Sequence, residues 1–220
     1  APEQFEALAM DIFRIQARGN AVYREYLELI GIKPERVDSL ASIPFLPISF
    51  FRTHKVITGL FNPEATFTSS GSTSDTPSLH FVASLKIYRS SFMKGFKHFY
   101  GDPSRYRILA LLPSYTERSN SSLVYMVNEL ISCSGHAESG FFSHTPTQLV
   151  ETINTLESQG QPSLLIGVTF ALLELVNSQR LNLRHTIVME TGGMKGRGRE
   201  LTREELHSTL CKGLGARQIH

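Results

Sequence analysis

Between residues 108 and 214, short apolar runs alternate with amphipathic stretches, and this alternation constrains the fold more than any other feature of the chain. The runs 108–112, 139–142, 164–166 and 186–189 have the length and β-branched or apolar character of strands. The stretches 121–133, 145–158, 170–177 and 202–214 have the length of helices. Thr145 with Gln148, and Thr202 with Glu205, have the spacing of capping boxes. A parallel neighbour can be reached only by a crossover of a dozen or more residues, so this spacing predicts an α/β fold: a mostly parallel sheet flanked by helices. Ahead of it, 65–68 and 79–82 read as a hairpin joined by a Ser/Thr/Gly loop. Ser84 can cap a helix with apolar positions at Leu85, Tyr88, Phe92, Phe96 and Phe99, and Asp102-Pro103 marks a turn.

The front of the chain reads differently. Phe5, Leu8, Ala9, Ile12 and Phe13 recur at helical spacing. Asn20 can cap a second helix with a stripe of Val22, Tyr26, Leu29 and Ile30, ended by Gly31. Residues 43–49 hold two prolines and must be extended or irregular. The expected organisation is therefore a helical lead-in over 1–63 and an α/β portion over 64–220.

Composition narrows the function classes. Hydrophobic residues make up 41% and charged residues 19%, enough for a sizeable core. A net charge of +2 gives no case for nucleic acid as a partner. The longest apolar stretch, 164–176, is interrupted by Gly167 and Thr169 and carries Glu174, so no membrane span is expected. Cys133 and Cys211 read as reduced, packed thiols, and no signal pattern opens the chain, so a cytoplasmic protein is expected. The start without methionine and the end at His220 lead us to expect a trimmed or incomplete chain. The eight histidines show no metal-ligand spacing, and no metal site is assigned.

Parallel sheets bind ligands at the carboxyl ends of their strands, which singles out the loops after residues 68, 112, 142, 167 and 190. Residues 68–77 (TSSGSTSDTP) are nearly all small hydroxyl residues around a glycine. They can wrap phosphate oxygens, or form a solvated turn. They match neither a Walker loop nor a nucleophile elbow. Residues 190–198 (ETGGMKGRG) could lay a flat ring against paired glycines, with Lys195 and Arg197 meeting an anion, or could be a flexible connection. Residues 112–122 read best as a loop that caps the next helix. Residues 166–173 (IGVTFALL) could line a greasy channel, and core packing explains them equally well.

Taken together, these segments resemble the adenylate-forming (acyl-CoA synthetase-like) superfamily. Residues 189–210 (METGGMKGRGRELTREELHSTL), 111–130 (LLPSYTERSNSSLVYMVNEL) and 165–173 are similar to acyl-protein synthetases of the LuxE type, the enzymes that activate fatty acids for the bacterial luminescence reductase complex. The resemblance runs from about Ile43 onward. It implies that ATP and a carboxylic acid give an acyl-adenylate and pyrophosphate, with Mg2+, and that the acyl group passes to a protein cysteine or other thiol. It further implies that Ser69, Ser70, Gly71, Ser72, Thr73 and Ser74 bind phosphate. Thr191, Gly192, Gly193, Met194 and Lys195 would lie beside adenine and the acyl-adenylate, and Gly167, Val168 and Phe170 would line the acyl pocket. Ser74 stands where the superfamily has glycine, and Ser78 where it has lysine. The family's later motifs would follow His220, so the chain would be the N-terminal portion of such an enzyme. An unpaired sheet edge near 185–190 and 216–220 would favour a homo-oligomer. A non-catalytic nucleotide- or acyl-binding domain of the same fold is the alternative, and a phosphate-handling transferase on an unrelated doubly wound sheet is a further one.

Overall fold

The computed structural model describes residues 2–69, 76–114, 117–193 and 201–220. The chain divides into two compact units, Ala1–Leu85 and Lys86–His220.

In the first unit, α1 (Pro2–Gly19) and α2 (Ala21–Leu29) meet at Asn20, whose side chain accepts a hydrogen bond from the Tyr23 N–H at 3.1 Å, the expected cap. The buried faces differ from the expected stripes. Met10, Phe13 and Ala17 of α1 pack against Tyr23 and Leu27 of α2, whereas Phe5, Leu8, Ile12 and Leu29 are exposed. The apolar residues of these helices go almost all the way round, so periodicity alone does not choose a face. A single turn of helix, α3 (Phe50–Thr53), follows the proline-containing segment. The strands β1 (Ala65–Thr68) and β2 (Leu79–Val82) pair antiparallel with Thr68 opposite Leu79, as expected.

In the second unit, α4 (Leu85–Tyr100) leads into four parallel strands: β3 (Arg107–Leu111), β4 (Gly140–Phe141), β5 (Ser163–Gly167) and β6 (Thr186–Glu190). Their connections are α5 (Ser122–Ser134), α6 (Pro146–Ser158) and α7 (Thr169–Ser178), and α8 (Arg203–Leu214) follows β6. The strand order is β4-β3-β5-β6. Ile219 adds a parallel bridge to Val188, and His220 exchanges backbone hydrogen bonds with Val188 and Glu190 at 2.9 Å, so the outer edge of β6 is already occupied there. β4 is shorter than the run 139–142 because Ser139 meets β3 through its hydroxyl, which accepts from the Ile108 N–H at 2.9 Å.

Alternate side chains of the strands serve two core layers. Leu109, Leu165 and Val188 face α6, α7 and α8. Ile108, Ala110, Leu164 and Ile166 face α4 and α5. The helix after β3 and the helix after β5 thus cover opposite faces of the sheet, and the crossovers diverge between these two neighbours. In an open parallel sheet, a crevice forms at the carboxyl end where this reversal occurs. Here it lies beside Leu111 and Gly167, which are opposite each other in the register.

Candidate functional site

Two loops at the carboxyl ends of β5 and β6 are stitched into one shelf. The Thr191 N–H and hydroxyl both donate to the Gly167 carbonyl, at 3.0 and 3.2 Å. The Thr169 N–H donates to the Gly192 carbonyl at 3.3 Å. Glu190 braces the shelf from within: its Oε1 accepts from the Gly192 N–H at 2.8 Å and from the Thr169 hydroxyl. Thr169 is buried, so this bond also satisfies a hydroxyl withdrawn from water. Gly192 and Gly193 have φ of +80° and +102°, a region where side chains are strained, and a Cβ on Gly192 would meet nothing within 4 Å. Among the described residues, then, nothing covers the main chain of the shelf at Gly192. Thr169, Glu190 and Gly192 also line a polar hollow of about 410 Å³, together with Arg203, His207 and His220.

The crevice beside the shelf is mostly apolar, with Glu174 also on its wall. Leu111, Pro113, Val168, Phe170 and Leu175 line a cleft of about 290 Å³. Shelf and cleft share a wall, since a Cβ on Gly193 would stand 4.0 Å from Val168. Gly167 has a packing reason of its own. A Cβ there would come within 2.8 Å of the fully buried Leu172, so the glycine lets α7 turn back tightly onto the strand end. The structure thus brings together Gly167, Val168, Phe170, Thr191, Gly192 and Gly193 from the sequence-based set.

Of the remaining candidates, Ser69 alone is among the described residues. Ser69 belongs to the first unit. Its N–H donates to the Ser78 carbonyl at 3.0 Å and its hydroxyl accepts from the Ser78 N–H at 2.9 Å, closing the mouth of the hairpin loop. Ser70, Gly71, Ser72, Thr73 and Ser74, like Met194 and Lys195, lie outside the described residues. Among the described residues no three His, Cys, Asp or Glu side chains gather as a cation site requires.

A cluster that spacing did not reveal lies at the carboxyl ends of β3 and β4. His144 Nε2 stands 3.0 Å from both carboxylate oxygens of Glu117, and the Ser114 hydroxyl donates to Glu117 Oε1 at 3.0 Å. These hydrogen bonds, that from His144 foremost, hold the Glu117 carboxyl below the usual carboxylate range. Chain separation hid the cluster, because 27 residues part Glu117 from His144 and only the pairing of β3 with β4 brings them together. Glu190 and Thr169 were hidden likewise, since their roles depend on β5 and β6 ending side by side.

A roomier apolar hollow of about 470 Å³ in the first unit, lined by Phe5, Ile12, Phe13 and Phe45 among others, carries no comparable chemistry. Two of the polar groups at its wall are engaged, Asn20 in capping α2 and the Tyr23 hydroxyl in donating to the Pro44 carbonyl at 2.5 Å. No described helix is long and apolar enough to cross a membrane.

Comparison with protein-family models, with curated proteins and with solved structures returns no match.

Proposed function

We propose that this chain takes part in ATP-dependent activation of a carboxylic acid, a fatty acid by resemblance, to an acyl-adenylate, with transfer of the acyl group to a protein cysteine or other thiol. The observation that carries the reading is the shared wall between shelf and cleft at Val168 and Gly193. An acyl-adenylate is a two-ended ligand. One end is a flat, polar nucleotide and the other an apolar chain, and they meet at the reacting carbonyl. Bare glycine main chain suits the flat ring, and an apolar cleft suits the chain. Such a ligand would lie across the wall that Val168 shares with Gly193, and holding both of its ends would supply the positioning on which a step between two anions depends. The resemblance adds ATP and Mg2+. Gly192 and Gly193 would hold the nucleotide. Among the described residues no three His, Cys, Asp or Glu side chains gather to hold that cation.

Acid-dependent exchange of labelled pyrophosphate into ATP, measured on the full-length gene product with short, aromatic and long-chain acids, tests the reading. Exchange with at least one acid class is expected. Its absence with all of them overturns the proposal.

A further inference from the structure

We propose that the acid taken by this site is an aliphatic one that carries an amine at the far end of its chain, and that Glu174 receives that amine, a reading that rests on the acyl-adenylate function above. One face of α7 forms a wall of the cleft. Its lining residues Phe170, Ala171, Glu174, Leu175 and Ser178 recur at spacings of three and four, as residues on one helix face do. Val168, the N-cap of α7, lines the cleft as well, and it is the residue that meets the shelf at Gly193. The cleft therefore runs from the shelf along α7. A chain whose carbonyl lies at the wall between Val168 and Gly193 passes Phe170 and Ala171 and then comes to Glu174.

Nothing in the protein matches this carboxylate. Among the described residues no Lys, Arg or His lines the cleft, and Glu174 has no hydrogen-bond or ion-pair partner. A carboxylate set among apolar neighbours is complemented by a cationic N–H donor on the ligand. Glu174 is itself exposed, so it can meet that donor without first being withdrawn from water. At about 1.5 Å per residue, Glu174 lies about 9 Å beyond Val168 along the helix axis. An extended chain advances about 1.2 Å per bond, and a charge-assisted hydrogen bond spans about 3 Å more. An acid of about six to eight carbons therefore brings a terminal amine to Glu174. A much shorter acid leaves its charge beside Val168, Phe170 and Leu111, where no group pairs with it.

Pyrophosphate exchange by the full-length protein, measured with ω-amino acids of about four to ten carbons and with plain acids of the same lengths, tests the inference. The value of kcat/KM for each amino acid is divided by that for its plain counterpart, so a loss of folded enzyme in a variant cancels. The ratio should favour the amine by roughly three- to tenfold at about six to eight carbons, and should fall below one for the shortest acids. Glu174→Gln should abolish the preference for the amine. Glu174→Lys should instead favour a dicarboxylic acid of that length over the plain acid. A ratio that never favours the amine, that is highest for the shortest acids, or that survives both substitutions overturns the inference while leaving the proposed function standing. Exchange with none of the acids overturns both.

Discussion

Gly192 and Gly213 are needed for opposite reasons. At Gly213, inside α8, a Cβ would stand 2.1 Å from Val176 Cγ1 on α7. Valine has little rotamer freedom with which to yield. Gly213→Ala should therefore force α7 and α8 apart and lower stability by about 1–3 kcal/mol, read from the urea midpoint. Combining it with Val176→Ala should recover part of the loss, since the two sites touch. At Gly192 no described residue stands in the way of a side chain, and the constraint seen there is φ of +80°. Gly192→Val should cost more than Gly192→Asn, because asparagine tolerates the left-handed region and a β-branched residue does not. The sequence announced Gly192, as one of a pair after a β-branched run. It could not announce Gly213, whose need is set by a neighbour 37 residues earlier that only helix packing brings close.

Among the helices, two capping boxes were legible, at Thr202 and Thr145, and only one forms. The Thr202 hydroxyl accepts from the Glu205 N–H at 3.2 Å, and the Glu205 carboxylate accepts from the Thr202 N–H at 2.9 Å. Thr145 makes no side-chain cap bond. Its ψ of 58° departs from the extended backbone that aims a cap hydroxyl at the first turn, and Pro146 starts α6 with its φ already set. Thr202→Ala should therefore cost about 1 kcal/mol, and Thr145→Ala should stay within about 0.5 kcal/mol of wild type, both by urea unfolding. Residue type and spacing give the opportunity for a cap, and backbone angles decide whether it is used. The same limit applies to helix faces. Phe99 has the spacing of the α4 stripe yet is exposed, while Tyr100 packs on Phe96 and accepts at its carbonyl from the Tyr106 hydroxyl at 2.7 Å. The strands of the parallel sheet were legible because most of their residues are apolar, as a sheet covered on both faces requires.

At the scale of the whole chain, the units have cores of different character. The second has an apolar layer on each face of its sheet. The first rests on a small cluster of Met10, Phe13, Ala17, Tyr23, Leu27 and Val37, with Tyr23 at its centre, edge-on to Phe13 and stacked on Tyr26. Burial, with Tyr26 adding to it, pushes the Tyr23 phenol up from 10.0 to about 12. The folded state thus binds this proton more tightly than the unfolded one. The stability it contributes is fully present below pH 10 and is lost as pH rises from 10 towards 12. Tyr88 and Tyr100 in the second unit are also raised by burial, so alkali weakens both units and a global melt would blend them. The measurement must resolve the units, which hydrogen exchange read by mass spectrometry on peptides does. Peptides spanning residues 10–37 should lose protection above pH 10, after correction for the faster intrinsic exchange. In Tyr23→Phe that extra alkaline loss should disappear from these peptides and persist in those spanning 86–134. At neutral pH the same variant should be less protected by about 0.5–1.5 kcal/mol, because its ring no longer donates to the Pro44 carbonyl. An alkaline loss identical in wild type and Tyr23→Phe would show that the Tyr23 proton does not hold the first unit together.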